Sequence, residues 1–134
     1  MGASEEVLPV FESFYLDVLE VLENHFITTH YLFGGMPSIA DFALMGPLFG
    51  HLARDPEPAR IMKQLAHRVF RWTEVMNTPN IQSPEFADFE MVFDSGDQLS
   101  EGASSLLRLC LEYAGQLTPR TADIYSERIM DKLN

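Results

Sequence analysis

Apolar residues recur at helical spacing from Ser4 to Asn24. Val7, Phe11, Phe14, Val18, Val21 and Leu22 fall on one side, and Leu8, Tyr15, Leu19 and Phe26 widen the band. Glu6, Ser13, Asp17, Glu20 and Asn24 keep to a polar stripe. Pro9 suits the first turn of a helix, where its missing amide is not needed, so regular helix is expected to begin near it. A band this wide predicts burial on two sides of the helix. From His25 to Phe33 the 3.6-residue period is lost, and the β-branched cluster Ile27-Thr28-Thr29 suits an extended connection.

Gly34-Gly35-Met36-Pro37 is a stop, because glycine tolerates positive φ and proline cannot continue a helix. Ser38 restarts the chain. Its hydroxyl can accept the amide of Asp41 while the Asp41 carboxylate accepts the amide of Ser38, the reciprocal pairing of a capping box. Phe42-Ala43-Leu44-Met45 follows, a run that predicts a buried central helix from Ser38 to about Ala53. Gly46-Pro47 predicts a bend within it, since an interior proline costs around 3 kcal/mol.

Asp55-Pro56-Glu57-Pro58 reads as N-cap, first-turn proline and a favourable first-turn acid. The helix it opens is expected to reach about Asn77, with Ile61, Leu65, Val69, Trp72 and Met76 inward. Residues 78–102 are less regular and acidic. Within them Ser83-Pro84-Glu85 can cap a short helix carrying Phe86, Phe89 and Phe93. A further helix is expected from Ala103 to Leu117, with Leu106, Leu107, Cys110, Leu111, Tyr113, Ala114 and Leu117 inward. Thr118-Pro119 starts a terminal helix bearing Ile124, Tyr125, Ile129 and Leu133. The pattern is all-α, with five to six helices in a single domain over residues 1–134, and without repeats or low-complexity segments.

Composition narrows the function classes. The chain has 134 residues, ten of them Phe, and 46% are apolar, enough to bury a core. A net charge of −11 argues against nucleic acid or an anionic membrane as partner, because both call for a basic surface. Cys110 is the single cysteine, which excludes an internal disulfide and fits a reducing, cytoplasmic setting. The start Met-Gly-Ala-Ser-Glu-Glu has no basic region before its apolar run, unlike a secretory signal, and no apolar stretch reaches spanning length.

Candidate chemistry is sparse. Ser38 and Asp41 are read as a structural cap, since that explains their spacing and the apolar run behind them. His25 and His30 are five apart, not the i,i+4 spacing of a helical metal pair, and His51 and His67 fall on different helices. No metal ligand set is expected. Asp94-Ser95-Gly96-Asp97 lacks the alternating order of a calcium loop and reads as a solvated turn. Cys110, on an apolar face without a cationic neighbour, reads as a buried packing thiol. Arg54 complements a helix C-terminus. Ten phenylalanines and seven methionines are mostly core, and Phe86, Phe89 and Phe93 are the candidate apolar ligand surface. Phe14 and Val18, on the widest apolar band, are the candidate dimer surface.

Tyr31-Leu32-Phe33-Gly34-Gly35-Met36-Pro37-Ser38-Ile39-Ala40-Asp41-Phe42-Ala43 resembles the yLfG-x-x-pSiADfal signature of glutathione transferases. Val69, Trp72 and Met76 resemble the same family's V-x-x-W-x-x-x-M helix. In that family both lie in the C-terminal all-helical domain. The resemblance implies an orthogonal helical bundle that completes an apolar second-substrate site, makes dimer contacts and meets a thioredoxin-like half. That half, which carries glutathione and the catalytic group, has no counterpart in these residues, nor does the first long helix of the family's C-terminal domain. No cofactor is therefore expected in this chain, and glutathione only if a thioredoxin-like half is supplied. The expected partner is a second copy or such a half. A stand-alone protein-interaction module is the alternative, and a carrier of small apolar ligands a third.

Overall fold

A computed structural model describes residues 7–78, 90–96 and 99–114. The described chain is all-helical. Helix α1 spans Leu8–His25, α2 spans Ile39–Pro47, α3 spans Pro56–Leu65 and α4 spans His67–Asn77. Residues 101–114 are helical and are called α5. The expected short helix with Phe86 and Phe89, and the terminal helix after Thr118, lie outside the described residues.

Pro9 occupies the first turn of α1, where a missing amide does no harm. The helix continues through His25. The connection behind it is turned rather than extended, with the Ile27 amide donating to Asn24 O and the Thr28 amide to His25 O. Local bonds to the helix end outweigh the β-branched preference of Ile27-Thr28-Thr29.

Pro47 closes α2, and the chain winds on as a π turn over Leu48–Leu52. The Ala53 amide donates five residues back to Leu48 O at 2.7 Å. Proline removes one donor from the α ladder, and a wider turn re-satisfies the carbonyls beyond it. The discontinuity expected at Gly46-Pro47 thus takes the form of a change in helical register.

The single helix expected from Pro56 to Asn77 is two helices. Ala66, at φ −141° and ψ 61°, separates them. Nothing at Ala66 itself breaks a helix, and the cause lies elsewhere. Glu23, on α1, accepts the amides of Arg68 at 2.8 Å and Val69 at 3.3 Å, so the first turn of α4 is capped from another helix. The break also rotates the register. Leu65, expected inward, is 64% exposed, while Ala59, Met62 and Ala66 are buried.

The core is built from Val18, Leu19, Leu22 and Phe26 at the end of α1, Leu32, Leu48, Ala53, Met62 and Ala66, Val69 and Trp72 of α4, and Leu106 of α5. Phe26 stacks on Trp72 with ring centroids 5.2 Å apart. The expectation that α2 is the buried centre does not hold. Asp41 is its one fully buried side chain, and Ala40, Leu44 and Met45 pack partly against the core. Ile39 is 90% and Phe42 56% exposed.

Helix α5 holds Leu106 and Tyr113 inward as its pattern suggested, but the rest of the expected face is turned. Ala103, Leu106 and Tyr113 are buried and Leu109 packs on the core. Leu107, Cys110, Leu111 and Ala114 are exposed. Its position is set by a close approach at Gly102. A Cβ there would stand 2.3 Å from His25 Nδ1 and 2.7 Å from His25 Cβ, so only glycine lets the helix reach the end of α1.

Candidate functional site

The signature stretch is organised by one carboxylate. Asp41 is fully buried. Its Oδ1 accepts the Leu32 amide at 2.9 Å, and its Oδ2 accepts the Ser38 amide at 2.8 Å and the Ser38 hydroxyl at 2.6 Å. Ser38 Oγ lies 3.4 Å from the Asp41 amide, and the pair has the reciprocal arrangement of a capping box. Three donors on one buried carboxylate satisfy the charge that burial would otherwise penalise. A box residue normally serves its own helix; Asp41 also fastens the preceding loop through Leu32.

That loop fixes a second requirement. Gly34 adopts φ 104°, and a Cβ there would meet the Asp94 amide and the Val92 carbonyl oxygen, each at 2.9 Å. Gly35 donates to Val92 O at 2.8 Å and Asp94 donates to Phe33 O at 3.0 Å. Residues 92–94 therefore lie along the signature loop as a short antiparallel contact. Phe93 is held there by its backbone, with its ring half-exposed. Its proposed companions Phe86 and Phe89 lie outside the described residues.

The histidines do not converge. His25 is buried in the last turn of α1, with Nε2 donating to Tyr31 O at 3.0 Å and lying 2.9 Å from Thr29 Oγ1. His51 is exposed after α2, and His67 Nδ1 is 3.4 Å from Glu23 Oε1. Among the described residues no group of three or more His, Cys, Asp or Glu is arranged to hold a metal. Cys110, expected inside, is exposed on α5, because the close approach at Gly102 and the bond from Tyr113 set the phase of that helix. The surroundings of the thiol still raise its pKa by desolvation. Arg54 lies beyond the π turn with its guanidinium 4.1 Å from the centroid of Phe49.

The two candidate dimer residues sit apart from open surface. Val18 is 7% exposed and belongs to the core. Phe14 packs against Tyr113 of α5 with centroids 4.8 Å apart. The polar stripe of α1 meets the same tyrosine. Tyr113 donates to Asp17 Oδ2 at 2.6 Å, and Ser13 Oγ lies 2.9 Å from its hydroxyl. Helix α5 thus covers one side of α1, and the apolar side chains that α1 leaves open are Leu8, Phe11 and Leu16.

Comparison with known families shows what this helical arrangement is similar to. Residues 15–78 match the family model described as Glutathione S-transferase, C-terminal domain. Over that segment the chain is similar to the C-terminal domain of glutathione transferases, and its all-helical structure fits that likeness. The match runs from α1 through the signature loop, α2 and the π turn to the end of α4, so it covers the elements that Asp41 and Glu23 tie together. No curated protein and no solved structure matches the chain. Among the described residues no helix is long and apolar enough to cross a membrane.

The buried polar side chains of the matched segment are held by contacts within the chain. They are His25, Asp41 and Thr73. Each is engaged by its own chain: His25 with Tyr31 O, Asp41 with the Leu32 and Ser38 amides, and Thr73 with Phe70 O at 2.7 Å.

Proposed function

We propose that this chain serves as the helical half of a glutathione transferase-like assembly. It supplies apolar second-substrate surface and dimer contacts to a thioredoxin-like half outside these 134 residues, and has no conjugating activity alone. The observation that carries this reading is the exposure of Ile39 and Phe42 on α2, directly behind the signature cap. An isoleucine and a phenylalanine so open, on a helix whose N-terminus is fixed by a buried carboxylate, fit a surface that another unit covers. The family match supports a thioredoxin-like half as that unit. Such a half brings the glutathione cradle.

The same surface supports a second reading, a stand-alone protein-interaction module in which Ile39 and Phe42 dock a partner that has nothing to do with glutathione. Affinity chromatography separates chemistry from docking. The purified chain is expected to pass unretained through immobilised glutathione. Addition of the thioredoxin-like half of a glutathione transferase is expected to retain it, and Phe42→Glu to abolish that retention. Retention of the chain alone would overturn the proposal. A chain never retained with that half present would leave the interaction module as the better account.

A further inference from the structure

We draw no further inference here: the strongest candidate, the basic surface patch at the α3–α4 corner, where Arg60, Lys63 and His67 are exposed with Leu65, carries nothing because nothing in the structure shows what covers it.

Discussion

Glu23 on α1 caps a helix that begins with His67, accepting the Arg68 amide at 2.8 Å and its guanidinium at 2.7 Å. The carboxylate is largely buried, with 13% of its side chain exposed. It does for α4 what Ser38 and Asp41 do for α2, from a position 45 residues away in the chain. Because the first amides of a helix have no partner within it, the second half of the bundle depends on α1 being in place.

Glu23→Ala is expected to destabilise the fold by about 1–3 kcal/mol, the usual penalty for buried donors left without an acceptor. The loss should be read from urea denaturation with an unchanged slope. In hydrogen exchange the Arg68 and Val69 amides should speed up before those later in α4. A Glu23→Ala protein as stable as the parent would show that α4 starts for another reason.

Asp41→Ala is expected to cost more. It removes the acceptor of both the Leu32 and Ser38 amides at a fully buried position, so the cap loss of about 0.5–2 kcal/mol is joined by the cost of orphaned donors, about 1–3 kcal/mol. Asp41→Asn should recover little, since one carboxylate oxygen becomes a donor facing donors. Ser38→Ala and Asp41→Ala should together cost less than their sum, because both act on one motif. Strict additivity in a denaturation cycle would contradict the arrangement described.

Tyr15 donates to Pro58 O at 2.9 Å and joins α1 to the start of α3. Burial pushes its phenol from 10.0 up to about 12. A raised folded value means that the neutral form is the one the fold favours. This contribution is complete below pH 10 and is lost as pH rises towards about 12. Phenolate absorbance of Tyr15→Phe should lack a step near pH 12 that the parent shows. A missing step near 10 instead would mean that the hydroxyl is solvated.

How much of this was legible in the residues follows physical lines. The all-helical class and the start of α1 at Pro9 came from local chemistry and stood, because a first-turn proline acts within its own turn. The division of 56–77 into two helices was hidden, since the residue responsible, Glu23, touches Arg68 only after folding. The inward face of α5 was legible only at Leu106 and Tyr113, for a different reason. Leu106, Leu107, Leu109, Cys110, Leu111 and Tyr113 surround most of the helix, so periodicity alone could not select a side. Gly102 against His25 and Tyr113 against Asp17 select it instead. The prominence of α2 was overestimated because an apolar run reads as buried whether its cover comes from this fold or from a partner. Asp41, the residue from which that reading began, is buried; Ile39 and Phe42 beside it are not.

The central claim is that these residues form a helical half without the chemistry of glutathione transfer. Steady-state turnover of an aromatic electrophile with glutathione by the purified 134-residue chain tests it most directly. The account predicts a rate equal to the uncatalysed reaction at every substrate concentration. Saturable turnover, proportional to protein and lost on denaturation, would contradict it.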